Sequence, residues 1–407
     1  MVDGYKKTDI GVIPEEWDIL NTNDIIKNNG IKIGPFGSAL KKELLVKKGF
    51  KVYGQENIFD KNMNIGNRYI TKQHFQKLKT CELKPGDFII SMMGTIGKSI
   101  IIPNDIETGI MDSHLLRLRF NQKIYKDYFS FIFSSKLTFN QVEKLSVGGI
   151  MDGLSSKIIK NLHYPIPPLP EQKAIAAVLS DTDELIHTLE KRIAKKRNIK
   201  QGAMQKLITP KENWETKKLG ELSVFLKGKG LPKSDITEEG TYQCIHYGEL
   251  FIKYKETIED IISQTNTSEN CFYSKRNDVL MPTSDVTPNG LATASCLKKD
   301  NIILGGDILV IRIPEELING TFFSYYISQN RNKVMKLVSG STVYHLYGSD
   351  MSTFDLSYPK LEEQNRIATI LSDMDKELTQ LEEKLEKYKS VKQGLMQQLL
   401  TGNIRLV

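Results

Sequence analysis

The sequence contains no apolar run approaching the ~18 residues that a membrane-spanning helix requires, and no apolar segment near its start of the kind that directs secretion. Its four cysteines, Cys81, Cys244, Cys271 and Cys296, are scattered and form no CxxC pair. The histidine nearest to any of them, His246, lacks the spacing of a zinc ligand set. A reduced, cytoplasmic chain without structural metal is expected. The six histidines do not cluster, so none is placed in a metal site, and only His114 and His345 are singled out as residues that could meet a ligand. No glycine-rich cofactor loop, Gly-x-Ser-x-Gly elbow or His-Glu-x-x-His is present. Gly94-Thr-Ile-Gly97-Lys98-Ser99 is not a phosphate loop, because Met92 stands where the first glycine is needed and a β-branched run ending at Pro103 replaces the helix that should follow. Ile166-Pro167-Pro168-Leu169 lacks the polar and aromatic flanks of an amino-methyltransferase motif. No catalytic apparatus is expected in this chain, and no cofactor bound by it.

Charge of one sign is also scarce. The 56 Lys and Arg against 49 Asp and Glu leave +7, which suits contact with a polyanion but is modest for a chain that grips DNA alone. With 407 residues and 40% hydrophobic content, two or three domains with cores of their own are expected.

What is abundant is self-similarity. Glu171 to Thr209 realigns without a gap on Glu363 to Thr401, 192 residues later, with 18 identities in 39 positions. A repeat dictates architecture, so it precedes any fold assignment. In the second copy Leu371, Met374, Leu378, Leu381, Leu385, Tyr388, Lys392, Leu395 and Leu399 recur in steps of three and four, the seam of a coiled coil broken once by Lys392. The first copy keeps the frame at Leu179, Ile186, Leu189, Ile193, Ala203 and Leu207 and weakens it at Thr182, Lys196 and Lys200. Pro170, Glu171, Glu362 and Glu363 suit first helical turns. Two matched seams in one chain are buried most simply against each other, antiparallel. Gly202 and Gly394 occupy the same place in both copies, each costing about 1 kcal/mol in a helix interior. A bend, a helix end or a close approach by another backbone or subunit would each account for them.

A globular segment precedes each helix. Each opens on a Trp, Pro14-Glu-Glu-Trp17 and Pro210-Lys-Glu-Asn-Trp214, and each closes on a Gly/Ser loop, Ser146-Val-Gly-Gly149 and Ser339-Gly-Ser341. The apolar runs at 87–91, 99–103, 278–281 and 307–313 predict strands, and 125–143 and 320–337 carry helical spacing. The fold class expected is α+β: two α/β domains separated by two long antiparallel coiled-coil helices in a pseudo-two-fold repeat. The domains run 1–168 and 211–360, and the helices 169–210 and 361–407.

Several landmarks carry a family likeness. Tyr5 to Trp17, Gly34-Pro-Phe-Gly-Ser-Ala-Leu-Lys-Lys42, Gly54-Gln-Glu-Asn-Ile58 taken as a strand end, Gly94-Thr-Ile-Gly97 and Tyr164-Pro-Ile-Pro-Pro-Leu-Pro-Glu-Gln172 resemble the specificity subunit of type I restriction–modification systems over essentially the whole chain. The second half departs from the pattern: Leu226-Lys-Gly-Lys-Gly-Leu-Pro232 replaces Gly-Pro-Phe-Gly-Ser, and Pro359-Lys360 replaces the double proline. The resemblance implies that each domain reads half of a split double-stranded DNA target and that the helices set the gap. It also implies that the helices dock two methyltransferase subunits carrying S-adenosylmethionine, through which motor-nuclease subunits using ATP and Mg join. No membrane partner is implied.

Base-edge readout needs donors and acceptors on exposed loops, with cations near phosphates. On that ground the DNA-contacting residues expected are Ser38, Lys41, Lys42, Gln55, Asn57, Thr95, Gly148 and Met151 in the first domain. In the second they are Lys227, Lys229, Lys233, Tyr247, Thr283, Ser284, Ser341, Tyr344 and His345. Leu179, Ile186, Leu189, Ile193, Leu371, Leu378, Leu381 and Leu385 are expected to form the coiled coil and its partner-docking region. A structural adaptor whose coiled coil bridges proteins, with DNA incidental, is the competing class. A module of a fused restriction–methylation enzyme is the other, and the missing methyltransferase motifs argue against it.

Overall fold

The computed structural model describes residues 4–93, 97–145 and 154–406. The chain forms two compact units. The first comprises Met1–Leu189 with Lys384–Val407, and the second comprises Glu190–Glu383.

Both units repeat one frame. In the first unit an antiparallel sheet runs Ile26–Ile33, Leu115–Phe120, Phe88–Ser91, Ser99–Ile101. In the second the order is Val224–Lys227, Ile308–Arg312, Val279–Pro282, Ser295–Leu297, with Thr257–Ile258 added in parallel. These central strands are continuous apolar runs because both of their faces are covered: Phe88, Ile89, Ile90, Val279, Leu280 and Met281 are all fully buried. Helix Lys126–Phe133 packs on the first sheet and Gly320–Gln329 on the second, and Lys136–Leu145 and Arg331–Met335 follow packed against them. The single helical stretches expected at 125–143 and 320–337 are therefore each broken, at Ser134–Ser135 and at Asn330. Ser134 and Ser135 donate their hydroxyls to carbonyls of the preceding turn, which ends that helix.

The join between domain and long helix is built twice in the same way. The strand after each opening Trp pairs antiparallel with the strand before each long helix, Asp18–Asn21 with His163–Ile166 and Glu215–Lys218 with Asp355–Tyr358. The helices Leu169–Ile208 and Leu361–Leu399 then begin. Gln172 and Gln364 are buried and bond identically. Each amide donates to the carbonyl five residues back, of Pro167 or Pro359, and to a loop carbonyl, of Lys123 or Leu317. Each carbonyl oxygen accepts from the backbone N–H of Tyr125 or Asn319. Glu171 differs from its counterpart. It accepts from Trp17 Nε1 (3.0 Å), Arg405 and Leu406 N, whereas Glu363 takes Lys211 at 2.7 Å.

Within each unit the helix segments run antiparallel. In the second unit Lys196 meets Glu377 at 2.7 Å, Lys200 meets Asp375 at 2.6 Å and Arg197 meets Glu382 at 2.6 Å. In the first unit Asp183 meets Lys392 at 2.5 Å. Lys200 and Lys392 are equivalent positions of the repeat, and so are Asp375 and Asp183. Two of the four residues that interrupt the seam, Lys200 and Lys392, thus belong to one ion pair made twice with the copies exchanged, and each lysine also lies over an aromatic ring, Tyr325 or Phe131. A charged pair in a coiled-coil seam fixes register at some cost in stability.

Seven of the eight seam residues expected are buried, and Ile186 is half-buried. Leu179 and Leu371 lie in the domain cores. Near the end of the first helix the buried positions are Met204 and Ile208, one residue beyond the expected Ala203 and Leu207, which are half-buried beside them. The helices continue past Gly202 and Gly394, and an added Cβ at either would meet nothing within 4 Å.

Candidate nucleic-acid interface

In the second unit a three-stranded antiparallel sheet holds three of the expected contact residues, Ser284, Tyr344 and His345, with Thr283 and Ser341 beside it. Ser284 lies opposite His345 and Asp285 opposite Tyr344, while Ser339 and Gly340 pair on the other side of the same strand. Ser341 is exposed in the adjoining turn, and the His345 ring stacks on exposed Tyr347 at 5.9 Å. Gly340 must be glycine: its φ is +119° and a Cβ would stand 2.2 Å from the Val343 carbonyl. Thr283 anchors this sheet to the domain, accepting from Leu346 N and donating towards Asp307 at 3.5 Å. It is 8% exposed, so its hydroxyl is a support for the sheet.

Asp307 connects a second group. Lys227 Nζ is 3.4 Å from its carboxylate, and the loop that follows passes so close to Gly305 that a Cβ on Gly228 would be 2.0 Å from that carbonyl. Lys229 and Lys233 are exposed on this loop. The His246 ring, beside Tyr247 at 4.6 Å, is held below its ordinary pKa by burial first and by Lys233 as well, against Glu249 and Asp307. The imidazole of His246 beside Tyr247, with exposed lysines on the neighbouring loop, offers neutral donors and acceptors edged by cations.

The first unit has a corresponding loop cluster. Gly34 approaches Asp112 so tightly that a Cβ would overlap its carbonyl oxygen at 1.8 Å. This contact holds the loop carrying Ser38, Lys41 and Lys42, all exposed, and His74 bonds to Ala39 O at 2.7 Å to fix its short turn. Gln55 donates to Ser91 Oγ at 2.7 Å and to Met93 O at 2.6 Å. The expected strand end at 54–58 is a short helix, Gln55–Phe59, following the strand Phe50–Tyr53.

Asn57 corrects the sequence expectation. It is 1% exposed, accepts from Gly54 N and donates to Asn62 O and Ile65 O, which leaves it nothing to offer a base. Thr95, Gly148 and Met151 lie outside the described residues. Arg68 and Asp112 were not anticipated: Arg68 bridges Glu56 (2.9 Å) and Asp112 (3.0 Å), and exposed His114 lies 3.6 Å from Asp112. Gly54 signals that site, because a Cβ there would stand 2.0 Å from the Arg68 guanidinium.

The family model for the type I restriction modification DNA specificity domain matches this chain twice, at residues 14–198 and 211–389. The chain belongs to that family. It is 27% identical to the putative type I restriction enzyme MjaX specificity subunit of Methanocaldococcus jannaschii, over 99% of this chain and 97% of that one. It is 25% identical to the MjaVIII specificity subunit of the same organism, over 97% and 94%. Its fold is similar to the crystal structure of a type I restriction-modification S subunit from M. genitalium, with a TM-score of 0.60 over 94% of this chain and 96% of that one at 16% identity. The two matched stretches each take in one globular domain and most of the long helix that follows it, so the family's unit is the repeated unit of this sequence. No helix among the described residues is long and apolar enough to cross a membrane.

Proposed function

We propose that this chain is the DNA-reading subunit of a type I restriction–modification complex, in which each domain reads one half of a bipartite target. The observation that carries this reading is that two copies of one frame present different loops. Ser284, Ser341, Tyr344 and His345 lie on or beside the small sheet of the second unit, and Ser38, Gln55, Lys41 and Lys42 on the loops and short helix of the first. Hydroxyl, amide and imidazole groups suit base edges, and Lys42, Lys227, Lys229 and Lys233 suit phosphates. The domains are taken as 1–168 and 211–360, with helices 169–210 and 361–407 setting the gap.

The chain itself catalyses nothing and binds no cofactor. S-adenosylmethionine belongs to two methyltransferase subunits, and ATP and Mg to motor-nuclease subunits that join through them, in the cytoplasm. For those two partners the helices offer a repeated outward surface. Ile199 is 45% exposed and Val391, its equivalent, 43%, and Gly202 and Gly394 each lie one turn further on. Replacing Lys211 to Leu356 with the segment of a relative, then mapping methylated DNA in cells, tests the reading. One half-site should change while the other and the gap stay fixed; a change in both halves, or in neither, refutes it.

A further inference from the structure

The first unit carries a cationic cleft that no part of the proposed function uses. It has a volume of about 880 Å³ and is lined by Lys27, Lys32, Lys84, Arg117 and Arg119. Asp87 is the one carboxylate lining it among the described residues, and it is already bidentate with Arg119 at 2.7 and 2.9 Å. Lys27 and Lys32 are exposed and have no ion-pair partner among the described residues. Arg117 stands directly opposite Lys32 in the antiparallel register. Like charges facing across a strand pair are destabilising. Arg117 is also only 3% exposed. Its Nη1 donates to the carbonyls of Thr80 (3.1 Å) and Glu82 (2.7 Å), while its Nε makes no hydrogen bond among the described residues and only a long ion pair with Asp87, at 4.0 Å. Burial first, and then Arg119, hold its guanidinium below the usual pKa.

The second unit shows that the frame does not need these charges. There the Arg119–Asp87 pair recurs as Arg312–Asp278, again bidentate at 2.7 Å. Two residues before Arg312 stands Val310, and the residue facing it is Leu226. The same cross-strand position therefore holds Val and Leu in one copy and Arg and Lys in the other. The frame thus folds with an apolar pair at this position, and the bonds of Arg117 to the Thr80 and Glu82 carbonyls leave the exposed Lys32 facing it without a structural role of its own. We propose that this cleft binds a phosphate-class oxyanion. The head groups of Lys27, Lys32, Lys84 and Arg119 hold it, and the buried Arg117 charge behind them deepens the local positive potential. Two sources share that chemistry, the phosphate backbone of a nucleic acid and a free phosphate compound. None of the cleft's residues is among those offered for base reading, so the inference stands apart from the half-site assignment.

The full chain is titrated with inorganic phosphate, and with chloride at matched ionic strength, while thermal stability and heat of binding are followed. Phosphate should stabilise saturably and chloride should not. Lys32→Leu with Arg117→Val transplants the second unit's own pair. It should weaken phosphate binding at least about tenfold, as loss of charge-assisted bonds requires, yet leave the chain at least as stable in phosphate-free buffer. Lys27→Ser with Lys84→Ser changes only exposed side chains and should weaken binding likewise, so it decides the matter even if the first variant misfolds. Equal effects of chloride and phosphate, or phosphate binding retained in both variants, would overturn the proposal. The salt dependence of binding to a duplex then separates the sources. A slope reduced by about 1 or more in the variants assigns the site to a backbone phosphate. An unchanged slope with phosphate binding lost assigns it to a free phosphate compound.

Discussion

Asp375→Asn should cost the second unit clearly more than Asp183→Asn costs the first, although the two positions are equivalent in the repeat. Asp375 accepts from Lys200 at 2.6 Å and from the Tyr325 hydroxyl at 2.5 Å, and the Lys and Asp side chains are 16% and 13% exposed. Lys200 also sits 5.4 Å from the Tyr325 ring centroid. Removing the carboxylate charge leaves a mostly buried ammonium with only the more distant Glu256, at 3.9 Å, as an anionic partner. Hydrogen bonds to charged groups contribute ~1.5–3 kcal/mol, and breaking one partner of a buried pair costs ~3–5 kcal/mol. Asparagine still accepts from Tyr325, so a loss of about 2 kcal/mol is expected. The exchanged pair Asp183–Lys392 is 44% and 26% exposed, where ion pairs contribute only ~0.2–1 kcal/mol. Because a chain of two units need not unfold in one step, the assay must report on each separately. Hydrogen–deuterium exchange in peptides from the 190–208 stretch and from the 384–399 stretch does so. Protection in the former should fall about 30-fold in Asp375→Asn, and protection in the latter no more than about fivefold in Asp183→Asn. Lys200→Met combined with Asp375→Leu should recover most of the loss, since neither member of the close pair is left charged and Glu256 keeps its bond from the Ser328 hydroxyl. Equal costs at the two positions, or a double variant no better than the single one, would refute the reasoning.

Other expectations follow from the same contacts. Burial alone would raise the Glu171 carboxyl, but the hydrogen bonds from Arg405, Trp17 and Leu406 N hold it below its ordinary 4.5. Its contribution to stability is therefore fully present above about pH 4.5 and is lost as pH falls through the lowered native value, so Glu171→Gln should flatten the acid limb of a stability–pH curve. Asn57→Ala should destabilise the first unit by about 1–3 kcal/mol in denaturant titration, with the recognised sequence unchanged. Ser341→Ala should relax discrimination at one half-site in methylation mapping, whereas Lys42→Ala should mainly lower DNA affinity and reduce its salt slope by about 1. Ile199→Glu and Val391→Glu should each cost the complex one methyltransferase subunit, as native mass measurement would show; full occupancy in both would refute the docking surface.

The helices were legible because their repeat is gapless and their seam periodic, and the central strands because both of their faces are buried and read as unbroken apolar runs. The small three-stranded sheet was not legible as a sheet. Its strands are two residues each, too short to show a period of two, though Ser284, Tyr344 and His345 were chosen as loop residues. Asn57 was misjudged because an amide that caps a turn and an amide that reads a base look alike in sequence. Arg68, Asp112 and Glu56 lie far apart along the chain, and only the fold brings them together beside Gly54. Lys200 and Lys392 were visible as interruptions of the seam, but their partners were not, since the register of two antiparallel helices is set by contacts remote in sequence.

That register has a further consequence. Each copy of the repeat contributes one lysine to one pair and one aspartate to the other, so a single copy already holds both complementary halves of the lock. A surface that matches itself in this way is the signature of an isologous dimer. A chain consisting of one domain and one helix would find its complement in a second copy of itself and would present two identical half-sites. Fusing two such chains leaves the helical pairing untouched and frees the domains to diverge independently. On this view the palindrome came first, and the asymmetric target is what a duplicated gene makes available once the pairing chemistry is shared within one chain.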